Sequence, residues 1–441
     1  MEKYLKKILV NNDLSSRKKV IEFIKENPEN LSIDDLSKIA EFTNTKRSKI
    51  AAYYTDSKTL EKIQEYMPQI DKSVIRILEP SAGIGNFLKI IINKYKNAKK
   101  LIIDLNDIDS ESIEIIKLLN KYRDIPDNVE INYFNQDYLT FDFKKRYDLI
   151  IGNPPFLKLS KKQGLNKYSN IFNDNTTKNL AGFFLEKSIN ISDNVILILP
   201  KYFLHNNDFS YVRDVVNNFN INTIIDFGEK GFEGVLIETI ALFINTLKKP
   251  GETLAYSVTK NLFNKQNQKN MTDRQFPSWI IYRNEFFDKI VSEMNFNIFK
   301  PFRDRQITNK LLKKKGDIRV LKSRNINRAG TKIENIENYD SFIDEIDLKN
   351  ISVYKYLNRD DVYLCPNMTY YPRMIRKPRG VVVNGSIAIL ENISNFSITD
   401  EDLKFFSSTT FEEFYRIARN YSTRSLNIDV NSVIFFGLLK K

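Results

Sequence analysis

The chain has 441 residues, of which 42% are hydrophobic, and a formal charge of +13 at pH 7. This length and apolar content can bury more than one core, so we expect two or three domains. The single cysteine, Cys365, excludes an internal disulfide framework, and the single histidine, His205, leaves little for a zinc site or for histidine-based catalysis. We therefore expect no bound metal and a chemistry that uses other groups.

The sequence carries no pattern typical of export or membrane insertion. No stretch approaches the roughly 18 uninterrupted apolar residues that a membrane helix needs. Residues 1–13 also lack the apolar region and cleavage site of a signal peptide. We expect a cytoplasmic protein.

Basic residues cluster in the C-terminal part of the chain. Residues 303–328 contain ten Lys or Arg against two Asp, and residues 373–380 add four Lys or Arg without an acid. Such clusters are candidate contacts to the phosphates of a nucleic acid. The alternative is a solvated charged face, because a charge excess alone indicates only solubility and non-specific association.

Residues 1–48 have the pattern of helices. Residues 16–27 place apolar side chains at helical spacing, and Ser32 is followed three residues later by Asp35, a capping signal. We expect an N-terminal helical extension here.

From Val74 to Ile244, short β-branched runs alternate with helical segments. This alternation predicts an α/β fold with a Rossmann-like, mostly parallel sheet and helices on both faces. Ligands of such sheets bind beyond the carboxyl ends of the strands, so we expect any ligand site in the loops there. The predicted strands are VIRIL, KLIID, EINYF, YDLIIG, NVILILP, NTIIDF and ETIALFI.

A polar stretch at 259–275 is expected to be a linker into a second domain. These patterns divide the chain into a helical extension at 1–48, an α/β domain at 49–262 and a second domain at 276–441.

The loop after the first strand, LEPSAGIGNFL, is rich in glycine. Gly83 and Gly85 would let a ligand approach the backbone closely. The loop lacks the Lys-Ser/Thr of a phosphate-binding loop, and Glu79 would repel phosphate. A carboxylate beside such a turn suits a cationic ligand such as S-adenosyl-L-methionine (AdoMet), which carries an ammonium and a sulfonium group.

Acids also follow the next two predicted strands. Asp107 could accept hydrogen bonds from ribose hydroxyls, as an acid does in dinucleotide folds, and Asp137 could accept from an adenine amino group. Each acid alone could be an ordinary loop residue. Their recurrence after three successive strands favours a ligand site.

The fourth loop begins Asn153-Pro154-Pro155-Phe156. Each proline fixes φ and removes an N–H, so this corner is stiff and its carbonyls have no competing donor beside them. Such a turn can hold hydrogen-bond acceptors in place.

These segments occur in a familiar order: AAYYTDS, LEPSAGIGNF, NDID, NQD and NPPF. The order resembles that of the gamma class of DNA adenine-N6 methyltransferases, and residues 50–441 are similar to the TaqI-type members, the modification enzymes of type II restriction-modification systems. The resemblance implies an AdoMet-dependent methyltransferase sheet followed by a mixed α+β target-recognition domain. It also implies methyl transfer from AdoMet to adenine N6 in a base flipped out of duplex DNA.

The resemblance assigns roles to individual residues. The Asn153 side-chain oxygen and the Pro154 carbonyl would accept the two N6 hydrogens, Phe156 would stack on the base, and Phe232 would face the base from the other side. Phe232 could equally be a core aromatic. The family often has Pro where this chain has Asp56. The cofactor-binding residues implied are Tyr53, Thr55, Glu79, Ser81, Gly83, Gly85, Asp107, Ile108, Asp137 and Pro155.

The second domain resembles the family's target-recognition domain more loosely, and no code links its sequence to a recognition site. We expect double-stranded DNA as the partner, a monomer, and a separate cognate restriction endonuclease that acts on the same site. The predicted DNA contacts are Arg324, Asn325, Arg373, Arg376, Lys377, Arg379 and Arg424.

Other functions remain open from the sequence. An Asn-Pro-Pro-aromatic tetrapeptide also occurs in enzymes that methylate protein glutamine or ribosomal RNA guanine, so an RNA or protein N-methyltransferase is an alternative, although the large basic domain counts against a protein substrate. A non-catalytic DNA specificity protein is another, and an intact Asn153 argues against it. A methylase fused to its own nuclease is a further alternative, but residues 1–48 are short for a nuclease domain, so we expect a separate restriction partner.

Overall fold

The computed structural model describes residues 3–43, 57–229, 237–367, 371–422 and 428–440. The chain divides into two compact units, unit 1 (Met1–Asn270) and unit 2 (Met271–Lys441). Within the described part of the chain, no helix combines the length and apolar character needed to cross a bilayer.

Unit 1 contains a nine-stranded sheet in the order β3-β2-β1-β4-β5-β7-β6-β8-β9. Strands β1 to β5 pair in parallel, whereas β7 runs antiparallel between β5 and β6. Each predicted strand is confirmed, and so is the mostly parallel sheet. The strands are β1 (Val74–Glu79), β2 (Lys100–Asn106), β3 (Val129–Phe134), β4 (Leu149–Gly152), β5 (Asn194–Pro200), β6 (Asn220–Gly228), β7 (Thr239–Asn245), β8 (Glu252–Ser257) and β9 (Leu262–Asn267).

The last two strands were not predicted. β9 pairs antiparallel with β8 at the sheet edge, so the prediction of a linker at 259–275 is wrong for Leu262–Asn267. This strand alternates half-buried and exposed residues and is rich in Asn, Gln and Lys, which is the composition of a loop.

Helices connect the strands and extend the N-terminus, as predicted. The expected cap at Ser32 is confirmed, because its Oγ accepts the N–H of Asp35. The helices of unit 1 are α1 (Lys3–Asn11), α2 (Arg17–Glu26), α3 (Ile33–Phe42), α4 (Ser57–Tyr66), α5 (Leu88–Tyr95), α6 (Ser110–Leu119), α7 (Leu165–Phe172), α8 (Leu180–Ile191), α9 (Ser210–Val216) and α10 (Gln268–Met271, at the boundary).

Helices cover both faces of the sheet. Phe183 of α8 packs in one apolar cluster with Leu78 of β1 and Ile150 of β4. The strand registers carry that face across to β7, where Phe243 points to the opposite side. There the ring of Tyr66 on α4 lies 6.4 Å from that of Phe243. The predicted two-sided α/β layering is confirmed.

Unit 2 mixes short helices with three small sheets, as the predicted α+β class requires. The sheets have the orders β11-β17-β14-β15, β13-β12-β16 and β10-β18. The helices are α11 (Glu285–Ser292), α12 (Glu345–Leu348), α13 (Asp400–Phe405) and α14 (Thr409–Ala418). The strands are β10 (Met294–Asn295), β11 (Phe299–Arg303), β12 (Ile318–Leu321), β13 (Ser341–Ile343), β14 (Val362–Pro366), β15 (Ile375–Arg376), β16 (Val381–Val383), β17 (Ile387–Asn392) and β18 (Leu438–Leu439).

A buried ion pair links two strand ends in unit 1. Lys201 directly follows β5, and its Nζ lies 2.8 Å from Oδ2 of Asp226 near the end of β6, with both side chains buried. Oδ1 of Asp226 accepts the N–H of Gly228. A charge removed from water in this way is stable only while its partner is present.

We expect Lys201→Met to lower the free energy of unfolding of unit 1 by about 3–5 kcal/mol, because the Asp226 carboxylate loses its counter-charge. Urea unfolding followed by circular dichroism measures the loss. Trp279, the only tryptophan, belongs to unit 2 and reports that unit separately by fluorescence. The double variant Lys201→Met, Asp226→Asn should recover part of the loss. If the double variant is as unstable as the single one, the pair is not the cause.

Candidate functional site

The loops after β1 and β4 are held against each other. Ser81 Oγ donates a hydrogen bond to the main-chain carbonyl of Asn153, at 3.1 Å. A Cβ at Gly152 would lie 3.1 Å from Cδ of Pro80, so only glycine fits without displacing the neighbouring loop. The glycine-rich loop and the Asn-Pro-Pro-Phe corner are therefore fixed in position relative to each other.

The corner is also braced from behind. Pro154 and Phe156 are buried, whereas Asn153 and Pro155 are half-buried. The carbonyl of Phe156 accepts a hydrogen bond from Nδ2 of Asn179, at 3.3 Å, and Oδ1 of the same asparagine caps α8 by accepting the N–H of Ala181. The Phe156 ring is 6% exposed, so a base that stacks on it must first open the space around it.

Asp107 connects the glycine-rich loop to the loop after β2. Its Oδ2 accepts the N–H of Gly83 at 2.8 Å, and its Oδ1 accepts the N–H of Asp109 at 2.9 Å. Gly83 and Gly85 have φ of +58° and +80°, values that favour glycine. The glycine-rich turn is therefore held by Asp107, and the predicted close approach of a ligand to Gly83 and Gly85 stays a prediction.

Two carboxyl groups at this edge have perturbed proton affinities. Burial raises the pKa of Asp107 to about 6 against the opposing effect of its two N–H donors. Burial, and secondly the charge of Asp107, raise the pKa of Glu79 well above its ordinary value. Glu79 is 1% exposed, and its Oε2 has no hydrogen-bond partner among the described residues. A cationic group would satisfy both carboxylates at once.

An apolar surface borders the two acids. Ile108 is 67% exposed although it follows a buried strand. The carbonyls of Asp107 and Ile108 accept hydrogen bonds from Nδ2 of Asn135, at 2.9 and 3.0 Å. The turn after β2 therefore leaves an isoleucine side chain exposed next to Asp107.

Asn106 is a site residue that sequence reasoning missed. Its side chain is buried, and its Nδ2 donates to the carbonyls of Pro80 and Gln136, at 3.0 and 3.2 Å. It thereby ties together the loops after β1 and β3. An amide at the last, buried position of the strand was the available signal.

Asp137 has a different environment from the one expected. Its Oδ2 accepts hydrogen bonds from Nζ of Lys167, at 2.9 Å, and from the hydroxyl of Tyr168, at 3.3 Å, both on α7. An amino group that uses this carboxylate would compete with these two donors. Tyr53, Thr55 and Phe232 lie outside the described residues.

Three of the predicted DNA contacts are buried in unit 2. Lys377 donates from Nζ to the carbonyls of Leu357, Arg359 and Pro378, and burial lowers its pKa to about 8. Such a side chain has no hydrogen left for a phosphate, so its prediction as a DNA contact is wrong.

Arg373 and Asn325 likewise support the fold instead of facing solvent. The Arg373 guanidinium donates to the carbonyls of Ser323 and Ile326, at 3.0 and 3.2 Å. Asn325 donates to Asp340 and accepts the N–H of Lys322. These contacts correct the prediction, because both side chains hold the turn at 323–326 from the inside.

The other described residues that were predicted to contact DNA are exposed. Arg324 lies over the ring of Tyr339, at 4.8 Å, and Arg376 over that of Tyr363, at 5.4 Å. Arg379 pairs with Asp360, at 2.9 and 3.3 Å. Arg424 lies outside the described residues.

Arg328, the last residue of the basic cluster at 303–328, has its guanidinium 3.8 Å from the centre of the Tyr371 ring. The described ranges contain no cluster of three or more His, Cys, Asp or Glu able to hold a metal ion.

Residues 45–232, which include the four loops described above, match the family model of the Eco57I restriction-modification methylases. The chain is 25% identical over 228 residues to the type II methyltransferase M.VspI of Vibrio sp. (strain 343), which covers 51% of this chain and 54% of that protein. It is 32% identical over 181 residues to M.AccI of Acinetobacter calcoaceticus, covering 38% and 31%. The predicted resemblance to a type II restriction-modification methylase is confirmed for this segment.

The chain spans about half the length of M.VspI and less of M.AccI. Among solved structures it is similar to the type IIG restriction endonuclease BpuSI, with a TM-score of 0.49 and 13% identity over 93% of this chain and 61% of that one. The gamma class and adenine as the target base stay predictions.

We expect Glu79→Gln to stabilise the protein at alkaline pH. The folded state holds the Glu79 proton to a higher pH than the unfolded chain, so stability falls as pH rises above the ordinary value of 4.5. Glutamine removes that fall. Denaturation at pH 8 should show a gain of at least about 1.4 kcal/mol, equivalent to a tenfold change in proton affinity, and the gain should vanish towards pH 4.

Glu130 on β3 provides the control. It is exposed, and its hydrogen bond from Lys100 holds its pKa below the ordinary value. Glu130→Gln should therefore not stabilise the protein at any pH. Equal responses of the two variants would mean that burial does not perturb Glu79.

Proposed function

We propose that this protein is a site-specific DNA methyltransferase of a restriction-modification system, which moves a methyl group from AdoMet to adenine N6 of a base flipped out of duplex DNA. The observation that carries the proposal is the hydrogen bond from Ser81 to the carbonyl of Asn153. It joins the loop that suits a cationic ligand to the corner that suits an exocyclic amine.

The residues of the first two loops fit AdoMet. AdoMet supplies a methyl group on a positively charged sulfur. The carboxylate of Glu79, with its unpaired buried oxygen, would meet positive charge, and Asp107 would accept from the ribose hydroxyls. Exposed Ile108 and half-buried Pro155 would lie on the two faces of the cofactor adenine. By the family resemblance, Ser81, Gly83, Gly85 and Asp137 complete the described part of this site.

The Asn-Pro-Pro-Phe corner would activate the amine without an acid–base side chain. Adenine N6 is a poor nucleophile because its lone pair is delocalised into the ring. If the Asn153 side-chain oxygen and the Pro154 carbonyl each accept one N6–H, the lone pair is freed as N6 bonds to the methyl carbon and the carbon–sulfur bond breaks. The surplus proton leaves N6 for solvent. Fixed acceptors of this kind stabilise charge that develops only in the transition state.

Phe156 would stack on the flipped base, which offsets the cost of leaving the duplex. Its buried ring requires that the surrounding loops open when a base enters. Phe232 would cover the other face of the base.

DNA would contact the exposed cations of unit 2. Arg324 and Arg376 lie over tyrosine rings, which fix the direction of their guanidinium groups. Arg379 is a weaker candidate because Asp360 already neutralises it. A cognate endonuclease for the same site, a monomeric state and a cytoplasmic location complete the proposal.

Mapping of methylated bases on DNA from cells that express the protein tests the proposal as a whole. N6-methyladenine at one recurring sequence would support it. Methylated RNA or protein with unmodified DNA would favour the alternative of another N-methyltransferase. Absence of any methylation, together with no AdoMet-induced shift in melting temperature, would favour a DNA specificity protein.

We expect Asn153→Ala to lower kcat for DNA methylation by at least about 100-fold, the usual effect of removing one transition-state hydrogen bond. AdoMet binding, measured by calorimetry, should survive, because the Ser81 contact uses the main-chain carbonyl of residue 153 and not its side chain. Methylation at the wild-type rate would refute the role of this side chain.

We expect Arg324→Ala and Arg376→Ala each to weaken DNA binding and to flatten the plot of log K against log salt by about 0.9, the contribution of one phosphate contact. Fluorescence anisotropy at several salt concentrations measures both effects. Arg359→Ala is the matched control, because Asp361 and Glu391 already neutralise Arg359. An unchanged slope in the first two variants would mean that these arginines do not meet phosphate.

A further inference from the structure

The N-terminal helices contact the predicted cofactor loops through one buried arginine. Arg17, the first residue of α2, is 7% exposed. Its Nη1 donates to the carbonyl of Ala40 on α3, at 3.0 Å, and its Nη2 donates to Oγ of Ser112 on α6, at 3.1 Å. The same Nη2 lies 3.6 Å from Oδ2 of Asp109. A buried guanidinium thus ties two N-terminal helices to the start of α6.

The contacts continue from Arg17 to the acid proposed to hold the ribose. Ser112 Oγ donates to Oδ2 of Asp109, at 2.9 Å, and the N–H of Asp109 donates to Oδ1 of Asp107, at 2.9 Å. The other oxygen of Asp107 accepts the N–H of Gly83. Three hydrogen bonds therefore lead from Arg17 through Ser112 and Asp109 to Asp107, and the positive charge of Arg17 acts on the same carboxylate.

The same helices also touch the glycine-rich loop directly. Ile84 of that loop is buried in one apolar cluster with Val20 of α2 and Leu36 of α3. Next to it, Nδ2 of Asn86 donates to Oε1 of Glu41 on α3, at 2.7 Å. The loop that carries Gly83 and Gly85 thus has its outer side packed against the N-terminal helices.

We infer that the three N-terminal helices are a structural part of the cofactor site, in which Arg17 is a positioning residue that orients Asp107 through Asp109. The inference rests on the proposed AdoMet site. It assigns a role to a segment that the family model, which begins at residue 45, does not cover.

The charges around Asp107 make the role of Arg17 measurable through the pKa of Asp107. Burial and the neighbouring charge of Asp109 favour its neutral form, whereas Arg17 and the N–H donors of Gly83 and Asp109 favour its ionised form. Glu79 is a further acid at the site, and the positive charge of Arg123 favours its ionised form. Loss of Arg17 should therefore raise the pKa of Asp107 above its present value of about 6.

Calorimetric titration of the full chain with AdoMet at pH 6.5, 7.5 and 8.5 tests the inference. Arg17→Met should weaken AdoMet binding roughly threefold at pH 6.5, because raising the pKa of Asp107 from about 6 by about one lowers its ionised fraction there about threefold. The loss should shrink at pH 8.5, where Asp107 is ionised again. Arg17→Lys keeps the charge and should recover much of the affinity. For Arg17→Met, kcat at saturating AdoMet should change less than KM for AdoMet.

Tyr122→Phe is the matched control. The Tyr122 hydroxyl donates to the carbonyl of Ile24 on α2, at 2.9 Å, so the variant loosens the same helix without touching the contacts that lead to Asp107. An Arg17→Met protein that binds AdoMet like Tyr122→Phe, or that loses affinity equally at every pH, would overturn the inference while wild-type binding upholds the proposed function. A wild-type protein that does not bind AdoMet would overturn both.

Discussion

The hydrogen bond from Ser81 to the carbonyl of Asn153 fixes the distance between the two loops on which the proposed chemistry depends. Its net contribution to stability is only about 1 kcal/mol, but its geometric effect is larger. A Cβ at Gly152 would lie only 3.1 Å from Cδ of Pro80, so the two loops also approach each other closely there. A methyl donor bound by the first loop and an amine bound by the second would meet at a distance set by the backbone. Such positioning lowers a barrier without any tuned acid or base.

The same edge of the sheet holds charges that do not favour folding. Burial leaves Glu79 and Asp107 with raised pKa values, and an unpaired oxygen on Glu79 adds a desolvation cost. Sites that bind charged ligands often carry this kind of cost, which the ligand then relieves. Arg17 offsets part of it from outside the sheet. The N-terminal helices therefore link folding of the first forty residues to the electrostatics of the site.

The periodic part of the fold was readable from the sequence, and the exceptions have physical causes. The runs LIIG and NVILILP are apolar on both faces, as strands buried on both faces require. β9 was not predicted because this edge strand consists mainly of polar residues, with one side exposed to solvent and the other only half-buried. Arg373 and Lys377 were predicted to be exposed cations, because no local sequence pattern indicates that their side chains will bond to backbone carbonyls. Acids after three strands could be predicted to share one site because parallel strands place their carboxyl ends at one edge. Asp107 does contact the glycine-rich loop, whereas Asp137 bonds to Lys167.

The shape of the turn at 323–326 depends on the inward-facing Arg373 and Asn325 and not on the side chains that the turn exposes. Both residues grip that turn largely through main-chain atoms, which are the same for every amino acid. An exchange at Arg324 would then leave the backbone path intact while it presents a different group to the solvent. In the proposed DNA-binding role of unit 2, single replacements at such an outward position would change the contacts to DNA without loss of the fold.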